Sequence, residues 1–300
     1  MLTAGQERSL PIKINASGYL RAVIFSANGE HLLSGGRDQN VQVWRVQDGH
    51  LVATIEMNGV DCLAVSNDGK WIAGGTLRGE VVVWDAETYE TVWKDWEDSL
   101  TIKAVDFSLD STKLVSGSWN GTATIWDVAS GDEIYGLHHH KQSVIAAKFS
   151  SDGNRIATAT YYSVHVWNSK DGHLLVDIPM TKPSSSKNGL RWFNNHIFVV
   201  SGSKIKQLDA STGSTIYEWS VPSSTYYSCI AIPRYGKFIA YSTNRSVTFW
   251  DSSTHLQIGL VEHIEDIRSI ALSPDNSSLA IGGCYETIIT KGQSHIVVST

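Results

Sequence analysis

No stretch of this 300-residue chain approaches the ~18 consecutive apolar residues of a membrane-spanning helix. Its opening residues, Met-Leu-Thr-Ala-Gly-Gln-Glu-Arg, lack the basic and then apolar layout of a secretion signal. Both absences point to the cytoplasm and away from a membrane. Charge is sparse at 18%, and the net charge of −6 lacks the basic excess of proteins that grip a phosphate backbone, so nucleic acid is not expected as the main partner. Catalytic signatures are missing too: there is no His-Glu-x-x-His, no Gly-x-Ser-x-Gly, no phosphate loop and no pair of cysteines at zinc spacing. The three cysteines are too few and odd in number for a disulfide framework.

What the chain has is a repeat. Gly117 to Asp127 reads as a glycine-marked turn followed by a period-2 run that ends in Trp126-Asp127. Trp44, Trp84, Trp126, Trp167 and Trp250 recur at 40 to 42 residues, with one double gap of 83 that holds Leu208-Asp209 midway. An apolar-Ser turn precedes these at Phe25-Ser26, Val65-Ser66, Phe149-Ser150 and Leu272-Ser273. A period of this length is that of four-stranded propeller blades. The chain resembles the WD-repeat (WD40) family over nearly its whole length. The resemblance implies an all-β, seven-bladed WD40-type β-propeller with four antiparallel strands per blade. In tone the irregular repeats resemble the C-terminal WD propellers of fungal NACHT-type innate-immunity receptors.

Residues 9–291 are read as a single propeller. Residues 9–14 lie at the offset of an outermost strand and are expected to close blade seven by pairing with 286–290, which hides an exposed edge. Residues 292–300 form a tail or an alternative outer strand for that blade. Blade one is expected to use Leu20–Phe25, His31–Ser34, Val41–Trp44 and Leu51–Ile55. Gly49, with Gly131, Gly172 and Gly213 after it, supplies positive φ in the turn between strands c and d. Four residues before each a–b turn stand Ala22, Cys62, Ala104, Ala146, Leu190, Cys229 and Ser269, nearly all small, as convergence on a central axis demands. Cys62 and Cys229 hold this offset in different blades, too far apart to bridge. Phe25, Phe107 and Phe149 should pack between blades, and Asp106 and Lys148 should face the channel. Blade five departs from the pattern, with Leu208 in place of Trp, a short Asn194-Asn195 turn and a polar loop at 181–188 expected to be mobile.

The family resemblance implies a buried His, Ser/Thr, Asp and Trp network in each blade, and no blade is complete. Blade one has Ser34, Asp38 and Trp44 but Ala16 for His; blade four has His140, Thr158 and Trp167 but Tyr161 and Tyr162 where Asp belongs; blade seven keeps His263 without Trp. Three consecutive histidines, His138 to His140, do not easily converge on one ion, and no carboxylate or cysteine stands nearby at ligand spacing, so no metal and no cofactor are expected. The informative positions are turns on the face where d–a and b–c connections meet. Arg37, Arg78, Trp96, Trp119, His138, His139, Tyr161, Tyr162, Tyr226 and Tyr227 fall there, with Trp96 and Trp119 assigned to blade three. Trp, Tyr and Arg are enriched at binding hot spots. The expectation is a non-catalytic scaffold that binds a protein or peptide through this aromatic face. A carbohydrate-binding propeller is the alternative, with a hydrolase behind it, and the chain stands alone or within a larger polypeptide.

Overall fold

The computed structural model describes residues 12–14, 19–37, 39–57, 59–96, 100–180, 189–222, 228–233, 236–263, 266–283 and 287–291. Among them, 28 strands form seven antiparallel sheets of four, and no helix is present. Each sheet is one blade, its strands a to d running outward in chain order. Blade one uses Leu20–Phe25, His31–Gly36, Gln39–Arg45 and Leu51–Ile55, two strands extending beyond the expected bounds. Blade five, despite Leu208 in place of the strand-c Trp, is as regular as the others: Leu190–Phe193, His196–Ser201, Lys204–Asp209 and Thr215–Ser220. Blade seven takes only three strands from its own repeat, Ser269–Leu272, Ser278–Gly282 and Thr287–Lys291.

The turns explain why the strands stop where they do. Ser66 Oγ donates to Asp68 Oδ1 at 2.6 Å and accepts the Trp71 amide at 2.9 Å, so one hydroxyl closes the a–b turn and starts strand b. Ser108, Ser150 and Ser273 do the same with Asp110, Asp152 and Asp275. At the c–d turn one residue must be left-handed. Gly49, Gly131, Gly172 and Gly213 take that place at φ of 72 to 79°, but blade two puts Tyr89 there at 61° and blade six His255 at 59°. A side chain costs about 1–2 kcal/mol in this region, and both rings recover part of it in contacts. Tyr89 packs on the apolar cluster of blades one and two, and His255 stacks on Tyr217 at 3.8 Å.

The blades meet at close quarters near the axis. A Cβ on Gly75 of strand b would lie 2.5 Å from Ile102, the first residue of strand a in the next blade. Gly35 abuts Val60, Gly117 abuts Val144 and Gly282 abuts Val23 in the same way around the ring. Farther out the junctions are filled by Phe25, Phe107 and Phe149, each buried in a cluster shared by two blades. An axial cavity of about 290 Å³ remains, lined by Ala22, Cys62, Ala104, Ala146 and Ser269 with Lys148 and Arg191. Lys148 Nζ reaches Asp106 Oδ1 at 2.5 Å across the blade three–four junction, and the other carboxylate oxygen accepts the Phe149 amide, so the pair is joined rather than separately solvated. Cys62 and Cys229 are buried, and their thiols donate to carbonyls of the following blade, Ile102 and Arg268. Cys284, Ala16, Asp38, the 181–188 loop and the 292–300 segment lie outside the described residues.

Ile12–Ile14 is the fourth, outermost strand of blade seven, with Ile12 opposite Ile289 and Ile14 opposite Thr287. Ile14 is buried among Leu20, Val23, Trp44, Ala271 and Ile289, residues from both the first and the last blade. We predict that Ile14→Asp lowers stability by about 3 kcal/mol or more, through lost packing and an unpaired buried charge, whereas Lys13→Ala on the exposed side leaves the melting temperature nearly unchanged. Gly75→Ala is expected to cost about 1–3 kcal/mol by overpacking. An unaltered urea midpoint for that variant would show that Ile102 can yield.

Candidate functional site

Strands a and c run away from the face that carries the d–a and b–c connections, so the residues that start them ring its mouth. Hydrogen bonds tie these connections within blade one and link them in series from blade two to blade four. The Arg37 amide donates to the Tyr19 carbonyl and the Leu77 amide to the Gly59 carbonyl; Thr101 Oγ1 donates to the Leu77 carbonyl, and the Trp119 amide donates to the Thr101 carbonyl. Ser143 Oγ then donates to the Trp119 carbonyl at 2.8 Å. The turn that bears Trp119 is therefore tied to the loops on both sides of it.

The Trp119 ring is 48% exposed and lies 4.6 Å from Lys103 Nζ. Lys103 also faces Asp61 Oδ2 at 3.5 Å, and Arg21 Nη1 holds Asp61 Oδ1 at 2.5 Å. Asp61 is fully buried. One buried carboxylate thus draws in two cations, and the exposed Arg37 and Arg78 stand on the first two b–c turns of the same face. Sequence reasoning missed Arg21, Asp61 and Lys103. The signal was available, since each immediately precedes one of the small axial residues Ala22, Cys62 and Ala104.

The other expected positions divide. Trp96 is 58% exposed but ends the outer strand of blade two, Thr91–Trp96, and not blade three, because that strand runs on to the start of the d–a connection. His138 is exposed and folds back over Gly136. His139 is exposed, its ring edge-on to His165 at 5.6 Å. Tyr162 is 51% exposed, but Tyr161 is a correction: it is half-buried and packs against the cluster of Ile145, Val164 and Leu190. The turn between them is closed by Thr160 Oγ1 and Ser163 Oγ at 2.8 Å, so its two central residues diverge, one into the blade four–five junction and one outward. Tyr226 and Tyr227 lie outside the described residues.

Behind this face His140, Thr158 and Trp167 form the polar network anticipated for blade four. Thr158 Oγ1 accepts Trp167 Nε1 at 2.8 Å and contacts His140 Nε2 at 2.7 Å. Burial, reinforced by His165, pulls the His140 pKa down to about 4, so the ring stays neutral. In blades one and three the Trp indole donates to Ser34 and Ser116. In blade six Trp250 turns to Thr248 of its own strand. A carboxylate nevertheless stands close to the histidine run in space, although none has ligand spacing to it along the chain. His165 of strand c and Asp177 of strand d are directly paired, and their donor atoms lie with that of His139 within 4.8 Å of one another. Sequence spacing could not show this, because cross-strand register brings them together. Burial holds His165 below the ordinary histidine value, with Asp177 acting in the opposite sense.

A larger groove, about 590 Å³, lies at the opposite face between the a–b turns of blades one and two, lined in part by Ala27, Asp68, Glu87 and Tyr89. No described helix is long and apolar enough to cross a membrane.

The family model described as nucleolar protein 10-like, N-terminal domain, a β-propeller, matches residues 8–217. The chain belongs to that propeller family. As a WD-repeat propeller it is 20% identical to eukaryotic translation initiation factor 3 subunit I of Neurospora crassa over 89% of this chain and 87% of that protein. It is 35% identical to the WD repeat and SOCS box-containing protein 1 of Homo sapiens over 25% of this chain, a match that spans only 18% of that protein. A chain of the crystal structure of the mitotic checkpoint complex shares the fold at a TM-score of 0.82 and 17% identity, covering 97% of this propeller and 94% of that chain. None of these three is a NACHT-type receptor.

The two aromatic positions should separate in a stability measurement. Tyr161→Ala is expected to cost about 2–4 kcal/mol in chemical denaturation, as truncation of a packed ring does. Trp119→Ala should stay within about 1 kcal/mol, the worth of its contact with Lys103. Equal losses would place Trp119 in the packing as well.

Proposed function

We propose that this propeller is a non-catalytic recognition module that binds a protein or peptide through the rim of blades one to four. The observation that carries the reading is Trp119, a half-exposed indole held through its amide and its carbonyl on both sides and resting on Lys103, with Arg37 and Arg78 exposed on the neighbouring b–c turns. Anchors of this kind give affinity because little freedom is lost when they dock. The arrangement favours a partner segment that offers an apolar or aromatic side chain flanked by acidic ones. The names of the relatives fit such a role, one a subunit of an initiation factor and one solved within a checkpoint complex. The Thr158 hydroxyl that meets the His140 imidazole behind this face is buried and already accepts the Trp167 indole, which does not suit it as a nucleophile.

Exposed Trp96, Trp119 and Tyr162 would equally stack on sugar faces, but Lys103 occupies one side of the Trp119 ring, which favours a protein. Cytoplasmic residence is part of the same proposal. Affinity capture from an extract of the source organism, with wild type, Trp119→Ala, Arg78→Glu and the opposite-face variant Glu87→Ala as baits, tests it. Proteins held by wild type and by Glu87→Ala should fall about 10- to 30-fold with Trp119→Ala, in line with a hot-spot loss of about 2 kcal/mol, and fall with Arg78→Glu too. Capture that survives both rim changes, or saturable binding on a glycan array, would overturn the proposal.

A further inference from the structure

Strand c of blade four, Ser163–Asn168, places His165 directly opposite Asp177 of strand d, Leu174–Pro179. Directly opposed residues project from the same side of a sheet. The same register elsewhere holds Gln42 with Thr54, Val82 with Lys94, Thr124 with Gly136, Lys206 with Glu218 and Thr248 with Leu260. Among these described pairs only blade four sets an imidazole against a carboxylate. The Lys206–Glu218 pair is an ordinary surface ion pair, with Lys204 also on the carboxylate.

His165 is not accounted for by packing alone. It is 4% exposed, yet its Nδ1 has no hydrogen-bond partner, and its Nε2 stands 3.4 Å from Asp177 Oδ1. A charge-assisted N–H to carboxylate bond would close to about 2.7–2.9 Å. A cation held by Nε2 would leave Nδ1 as it is, so the loose contact of Nε2 with Asp177, and not the unpartnered Nδ1, is the observation that points to a ligand. The 3.4 Å separation has another meaning, because two ligands bound to one tetrahedral zinc at about 2.0–2.2 Å sit roughly 3.3–3.5 Å apart. His139 supplies a third donor from the connecting loop, within 4.8 Å of both and exposed, so a modest side-chain rotation closes the remaining edges. A pocket of about 240 Å³ opens over the three residues, with Tyr162, Gln142 and the exposed Lys141 at its wall, and leaves room for a further ligand.

We propose that His139, His165 and Asp177 form a binding site for a divalent transition-metal cation, zinc in the first instance. Two nitrogens and one carboxylate suit zinc better than the oxygen-seeking magnesium or calcium. His140 is not part of the set, because its Nε2 is committed to Thr158. The cation fastens the His139 loop to the outer strands of blade four, and this holds whether or not the rim binds a protein.

The test uses the untagged full chain, stripped with a chelator and titrated with zinc chloride by calorimetry, alongside Asp177→Asn and His139→Ala. Both substitutions are at exposed side chains, so each apo variant should melt with the apo wild type. The wild type is expected to take up one equivalent and to melt higher in zinc, as a ligand selective for the folded state requires. Each variant should bind at least about tenfold more weakly, at or beyond the low end of what perturbing a zinc site costs. The absence of saturable uptake by the wild type would overturn the proposal. So would uptake undiminished in both variants, since the zinc would then sit on other histidines or on the thiols.

Discussion

The close approach of neighbouring blades at the axis is the constraint on which the rest of this propeller depends. Where Ile102 meets Gly75 and Val60 meets Gly35 there is no room for a single extra carbon. That contact fixes the spacing of the inner strands, and the spacing in turn decides which side chains fit at each radius. Small residues line the cavity, β-branched ones press on glycines, and phenylalanines fill the widening wedge outside them. Close-packed interiors transmit such constraints because they have little free volume to absorb them. Gly282 against Val23 shows the same contact between the last blade and the first, so the closing junction is packed like the others and Ile12–Ile14 only has to cover its outer edge.

Polar groups near the axis follow from the same crowding. A charge forced inward by the register must find its counterion on the next blade, since water has little access. Lys148 finds Asp106 across one junction, and Arg21 and Lys103 converge on Asp61 of blade two across the junctions on either side of that blade. Breaking a buried pair costs far more than making it contributes, because the survivor is left uncompensated. These pairs are therefore weak evidence for stability and better evidence about the mouth of the channel, where two cations share one carboxylate.

The fold was legible because the repeat reports it many times over. Tryptophan spacing, Ser-Asp turns and small residues at one offset all gave the same period, and a chance match at one repeat could not mislead the others. The left-handed turn positions were legible only where glycine marked them, since Tyr89 and His255 take the same conformation with nothing in their identity to announce it. The site was far less legible, for two physical reasons. A turn of two consecutive tyrosines does not say which ring turns inward, and the answer for Tyr161 came from the space at the blade four–five junction. Cross-strand neighbours are also distant in sequence, so His165 and Asp177 were invisible to an argument about spacing along the chain. Register arithmetic would have paired them, since in blades one to six strand c runs against strand d with the same offset.

The rim and the histidine cluster share one structural element, the connection from blade three into blade four. Its residues 140 and 142 lie so close to Gly121 that a Cβ there would sit 3.1 Å from the Gln142 carbonyl oxygen, and Ser143 bonds the Trp119 carbonyl. The connection is thus braced on one side by the turn that carries the exposed indole and on the other by His140 on Thr158. Coupling between two places requires an element with contacts to both, and here the element is a few residues long and held at each end. Order gained at His139 is therefore gained close to Trp119, and a surface that is already ordered loses less entropy when a partner arrives. By this argument the blade three–four junction is the part of the molecule where packing, electrostatics and recognition are least separable.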